Sequence, residues 1–247
     1  MNDFLIYFSL IATVLIVAAF MLYLKPVSGK QIKLFLSFSG AYLLGISFTH
    51  LLPEVYRHGS AFTIGSIVLA GFIFQLLLEF FSEGIEHAHV HVHQHHQKKF
   101  PWAMMLSLSL HAFVEGIPLE REIHNGSIHG HEHGDHSLML GIIFHNIPVT
   151  VALVSFFIQS GFKKQNAFLF ISIFALMGPL GALVSHYGGD QFMHLTEHFF
   201  EYALAFVVGM FLHISTTILF ESSEGHRFNA VKLSAIILGF GLAMFAV

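Results

Sequence analysis

The sequence predicts an all-α polytopic membrane protein with eight transmembrane helices and both termini on the extracytoplasmic side. Three observations carry that prediction. Charge is scarce, apolar stretches recur at membrane-spanning length, and the basic residues alternate between the connections. Only 11% of the 247 residues are Asp, Glu, Lys or Arg, against 55% hydrophobic, and the mean hydropathy is +0.70. A soluble domain carries about 25% charged residues, so this chain cannot clothe a water-facing surface and lipid is its natural solvent.

A helix rising about 1.5 Å per residue needs roughly 20 apolar residues to cross about 30 Å of hydrocarbon. On that ruler the spans fall at about 4–24, 34–53, 61–81, 101–119, 138–160, 166–185, 198–219 and 230–247, with 1–247 forming one transmembrane domain. The first stretch has only Asp3 before it, and its lysines (Lys25, Lys30, Lys33) follow it. A signal peptide has a basic leader and a shorter apolar core, so this stretch reads as a span. The last span is the weakest, because Lys232 must snorkel to the interface.

Lys25, Lys30 and Lys33 lie between spans one and two, Lys98 and Lys99 between three and four, Lys163 and Lys164 between five and six, and Arg227 and Lys232 after span seven. These are nine of the 11 basic residues; Arg57 and Arg121 fall on the other side. The positive side is cytoplasmic, which places both ends outside. The protein is expected in the cell membrane, either a plasma membrane or a bacterial inner membrane, with the lipid bilayer as a partner and a homodimer compatible with the pattern.

Composition also excludes chemistry. Cysteine is absent, which removes disulfides, iron–sulfur ligation and thiolate zinc sites. A net charge of −4 argues against nucleic-acid binding. Histidine, at 20 residues, is the outlier, so any metal would be held by imidazole, carboxylate, amide or backbone groups.

Span four reads PWAMMLSLSLHAFVEGIPLE and places His111 and Glu115 four residues apart near mid-membrane, on one helix face. Span five reads SLMLGIIFHNIPVTVALVSFF and carries His145 and Asn146. The two spans run antiparallel, so His111, Glu115 and His145 can meet across one interface. An ionisable residue mid-bilayer costs roughly 2.5–3.5 kcal/mol, and a divalent cation would offset that cost. Imidazole with carboxylate suits zinc and similar first-row metals. Pro118 and Pro148 cannot donate to the carbonyls of Val114 and Phe144, so both helices should bend beside these residues. A lone intramembrane histidine is often a packing residue; two with a glutamate beside two prolines favour a metal.

These segments resemble the ZIP (Zrt/Irt-like) family of divalent metal transporters. The resemblance covers most of the chain: the eight-span bundle, the Gly45, His50-Leu51-Leu52-Pro53-Glu54 close of span two, His111-Ala112-Phe113-Val114-Glu115-Gly116 on span four, His145-Asn146-Ile147-Pro148-Val149 on span five and Gly178-Pro179-Leu180-Gly181 on span six. It implies a ZIP-like helix bundle that is not an enzyme and that moves a divalent cation into the cytoplasm. Zinc is the leading ion, with Fe2+, Mn2+ or Cd2+ as alternatives. It implies ligands at His111, Glu115 and His145, with Asn146 a weaker donor. Many family members hold a second metal through the residue after the span-four histidine and an acid four residues after the span-five histidine. Here those positions are Ala112 and Val149, so a single, ligand-poor site is expected.

Other residues stand as candidate pathway or loop ligands. The cytoplasmic connection at 86–99 carries His87, His89, His91, His93, His95 and His96; it could buffer metal at the exit, or be a polar disordered loop. The external connection at 120–137 is also histidine-rich and could gather metal. His50 and Glu54, His198 and Glu201, and the deeper His213 complete the set, while Glu79 and Glu83 close span three next to the histidine-rich loop, where they could face the exit or form a solvated helix end. Two competing readings remain. An intramembrane zinc-dependent hydrolase would use Glu115 to activate water, but H-E-x-x-H is missing from the sequence and two histidine-rich loops on opposite faces go unexplained. A metal sensor would bind without transport.

Overall fold

The computed structural model describes residues 3–23, 29–57, 59–82, 101–119, 137–195, 198–221 and 230–246. Among them every regular element is helical. The elements are α1 (Asp3–Tyr23), α2 (Gly29–Ile46), a π-helical turn (Ser47–Leu51), α3 (Leu52–Arg57), α4 (Ala61–Ser82), α5 (Trp102–Gly116), α6 (Ser137–Gln159), α7 (Lys164–Leu195), α8 (Phe199–Glu221) and α9 (Ala230–Phe245). Six helical stretches are long and apolar enough to cross a membrane; α2 through α3 counts as one of them, and α9 is apolar but shorter. The protein is a multi-pass membrane protein. Large apolar side chains such as Phe62, Phe80, Leu106 and Trp102 face outward from the bundle, where lipid rather than water accommodates them.

Local chemistry explains the element ends. Ser60 caps α4, its Oγ accepting from the Thr63 amide at 3.1 Å. Gly161, at φ 75°, closes α6: its amide reaches Ile158 O and that of Phe162 reaches Phe157 O, each at 3.0 Å, while the Phe157 and Phe162 rings meet edge-on at 5.2 Å. This is the glycine-terminated helix end of the Schellman type, and it turns the chain directly into α7. In α2 the helix widens before Pro53, which cannot donate to the Thr49 carbonyl. The amide of Leu52 reaches back to Ser47 O, a five-residue loop of π type, and span two continues through α3 to Arg57.

The helices form two packed units. In one, α1 lies against α6 and α7, and α5 against α7; in the other, α4 lies against α8, and α2 against α8 and α9. Within each unit, backbones touch at glycines. A Cβ on Gly116 would stand 2.0 Å from Gly178 O and one on Gly181 1.9 Å from Phe113 O, joining α5 to α7. A Cβ on Gly71 or Gly209 would stand 1.9 Å from Phe206 O or Val68 O, joining α4 to α8. Between units, α2 lies along α6 and α4 along α5. α6 is the most enclosed span, 67% buried, against 22% for the peripheral α4.

The cores are unequal at the two ends. A large cluster gathers Ile6, Leu43, Ile64, Leu138, Ile142 and Phe211, and so joins both units where α1, α4, α6 and α8 begin and α2 ends. Towards the other end, which bears Lys33, Lys163 and Lys164, the first unit keeps its own core of Val14, Leu108, Leu153 and Phe174. The second unit has the small cluster Leu36, Ile214 and Ile218.

Candidate metal centre

His111 and Glu115 stand one turn apart on α5, and α5 is pinned to α7 by the Gly116–Gly178 approach just beyond Glu115. The helix stops there for a local reason. Pro118 has no amide for Val114 O, and the Ile117 amide takes that carbonyl instead at 3.2 Å. α6, by contrast, keeps its helical course through Pro148. It presents His145 opposite α5. The imidazole rings of His111 and His145 lie 5.7 Å apart at 70°.

His111 Nε2 is 3.0 Å from Glu115 Oε1, and one ligand atom from each of His111, Glu115 and His145 lies within 4.8 Å of the others. All three side chains are buried. A tetrahedral ion with bonds of about 2.0–2.2 Å needs donor separations of about 3.4 Å, so a small inward movement would close the three around a cation. Three protein ligands leave a fourth position, as at a site that must exchange its ion. Among the described residues this is the group of three or more histidine and acidic side chains that could hold a metal.

A residue not singled out from the sequence completes the centre. Gln75 of α4 is fully buried, and its Oε1 lies 2.8 Å from His111 Nδ1. An amide oxygen can only accept, so the ring proton sits on Nδ1 and Nε2 keeps its lone pair. That lone pair then faces the Glu115 carboxylate, a pair of acceptors that a proton or a metal cation would bridge. The available signal was a lone amide in the apolar run GFIFQLLLEFF.

Beside the centre is a cavity of about 10 Å³ lined by Ala112, Glu115 and Asn146 together with Leu10, Val14, Ile142 and Phe174. It has room for about one water. Asn146 is buried and faces this space with Glu115. Ala112 and Val149 are both members of the first unit's apolar core.

The other candidates lie elsewhere. His213 of α8 bonds through Nε2 to Glu79 Oε2 of α4, with its ring edge-on to Phe72 at 4.8 Å. The pair sits between the centre and the lysine-bearing end. His50 and Glu54 lie at the opposite end: Thr49 Oγ1 donates to Gly45 O at 2.9 Å and accepts from His50 Nδ1 at 2.6 Å, while Glu54 pairs with Arg57 at 3.3 Å. His198 and Glu201 are half-buried at the start of α8, at that same end. None of these four joins the three-residue centre. The histidine-rich connections at 86–99 and 120–136, with His87, His89, His91, His93, His95 and His96, lie outside the described residues.

The comparison with known families agrees with this geometry. A family model described as ZIP zinc transporter matches residues 86–246, a stretch that contains His111, Glu115, His145 and His213 together with α5 to α9. ZIP proteins are transporters of divalent metal cations rather than enzymes, which sets the intramembrane hydrolase reading aside. With most of its length matched and a buried His–Glu–His cluster at its centre, the chain belongs to the ZIP zinc transporter family.

Proposed function

We propose that this protein carries Zn2+ into the cytoplasm through His111, Glu115 and His145, and that Fe2+, Mn2+ or Cd2+ could take the same path. The observation that carries the reading is the cluster itself, two imidazoles and a carboxylate within 4.8 Å in the middle of apolar helices. A buried glutamate between two histidines is costly at that depth unless a cation shares the space.

The unequal cores support an inward path. Where α1, α4, α6 and α8 begin, one apolar cluster closes both units over the centre. Towards the lysine-bearing end the polar pair Glu79–His213 provides a relay, and lysines mark the cytoplasmic side. The chain crosses eight times with both termini outside. α5 and α9, with 15 and 16 helical residues, are about 22 and 24 Å long and span with the help of their flanking turns and local bilayer thinning. The membrane is a cell membrane, plasma or bacterial inner.

Reconstitution into liposomes loaded with a zinc dye tests this. Saturable uptake is expected for the wild type and its loss for His111→Ala. Undiminished uptake by His111→Ala would overturn the site, and zinc binding without any flux in the wild type would make the protein a sensor.

A further inference from the structure

Gln75 has no role in the reading above. It sits on α4 among Gly71, Phe72, Phe74 and Leu78, without exposed surface, and its hydrogen bond to His111 spans the boundary between the two helical units. A second bond lies one turn away on the same seam: Ser107, four residues before His111 on α5, donates its hydroxyl to the Leu78 carbonyl of α4. Together these two bonds set the register of α5 against α4.

We propose that Gln75 is a positioning residue for the metal. By accepting the Nδ1 proton of His111 it fixes the tautomer and ring orientation that present the Nε2 lone pair to the ion. The inference rests on His111 being a ligand. Metal-bound histidines characteristically donate their second ring N–H to an oxygen acceptor, which orients the ring and raises its basicity. Here the ligand belongs to the α1–α5–α6–α7 unit and the acceptor to the α2–α4–α8–α9 unit. The bond therefore exists in one arrangement of the two units, and a shift of α5 along α4 by a single turn, about 5.4 Å, would break it. His111 then loses its orienting partner while Glu115 and His145 move with it. Gln75 thereby links the hold on the ion to the relative position of the units, tight where α4 and α5 are in register and weaker where they are not.

The test uses the full-length protein, with Zn2+ affinity measured by calorimetry and Zn2+ flux in liposomes. Gln75→Leu is expected to weaken Zn2+ binding about 10- to 100-fold and to raise KM in proportion while Vmax is held. Gln75→Glu, which keeps an acceptor oxygen, is expected to restore the affinity. In a His111→Ala background, Gln75→Leu is expected to cost nothing further, since the interaction it removes is already gone. Wild-type affinity in Gln75→Leu would overturn the inference. So would an equal loss in Gln75→Leu and Gln75→Glu, a fall confined to Vmax, or an additive loss in the His111→Ala background. If Gln75→Leu does not fold, Gln75→Met, which likewise lacks an acceptor oxygen, takes its place under the same criteria. His111→Ala separates the two claims: if it binds Zn2+ as the wild type does, the metal site itself fails, whereas its loss beside an innocuous Gln75→Leu overturns the positioning role alone.

Discussion

Gly209→Ala and Gly241→Ala add the same methyl group to two successive apolar helices, and the structure assigns them opposite signs. At Gly209, on α8, the new Cβ would stand 1.9 Å from Val68 O, 2.8 Å from Phe72 N and 2.9 Å from Val68 C, all backbone atoms of α4. A carbon and a carbonyl oxygen in contact keep about 3.3–3.6 Å, so α4 and α8 must separate locally by about 1.4 Å. A radial gap of even 0.5–1 Å forfeits about a quarter to a half of each dispersion contact, and the Phe74–Phe206 ring pair, 5.2 Å between centroids, lies in that interface. Overpacking of this kind costs about 1–3 kcal/mol, and a backbone obstacle puts Gly209→Ala at the upper end. For a chain of this size each kcal/mol moves Tm by about 2–4 °C, so the variant should melt about 6–12 °C lower. At Gly241, on α9, nothing lies within 4 Å of the added carbon. There alanine gains about 0.5–1 kcal/mol of helix propensity, and Tm should hold or rise slightly. Melting curves in one detergent, followed by the surviving monodisperse fraction, compare the two. Equal shifts, or a Gly209→Ala protein that melts with the wild type, would refute the close backbone packing of α4 on α8.

Two further outcomes follow from the site. Glu79→Leu or His213→Ala removes the relay bond, a hydrogen bond to a charged group worth about 1.5 kcal/mol, and should lower Vmax by about tenfold with the Zn2+ affinity of the centre retained; an unchanged Vmax would take the pair out of the path. Val149→Glu supplies a carboxylate one turn beyond His145, where the family resemblance leads one to expect an acid, and should raise Zn2+ stoichiometry from one to two in calorimetry; a stoichiometry that stays at one would detach Val149 from the second-metal argument.

Much of this architecture was written in composition and spacing. Apolar length located the helices to within a few residues in most cases, because a span is a one-dimensional constraint that each segment satisfies alone. The main departures are α7, which runs on to Leu195, and α2, where the consequence of Pro53 was a π turn and a continued helix. The His111–Glu115 pair was legible because four residues make one helical turn. That His145 would face it was an inference from antiparallel order, and it holds although α5 and α6 are not principal packing partners: each is held by α7 or α1. Gln75 was not legible. Its partner lies 36 residues away, and no local rule says which face of a nearly uniform apolar helix turns inward. Glu79 and His213, 134 residues apart, were each noticed, but only the packing of α4 on α8 brings them together.

The placement of glycines bears on how the ion could move at all. Where Gly116 meets Gly178 and Gly181 meets Phe113, backbones touch in a single register, and sliding α5 along α7 would drive a larger side chain into a carbonyl. The same holds for α4 on α8. Interfaces of that kind are bistable at best and do not deform gradually. Along the seam the contacts differ in kind. The hydroxyl of Tyr42 reaches Ser137 O at 3.3 Å, the rings of Phe38 and Tyr42 lean on Phe144, and Gly141 faces the side-chain tips of Ile46 and Leu43. Rotamers can change there without breaking a helix. Relative motion therefore costs least between the units, and His111, Glu115 and His145, all on one unit, would travel together with their geometry kept. Such a motion must break the hydrogen bond from His111 to Gln75.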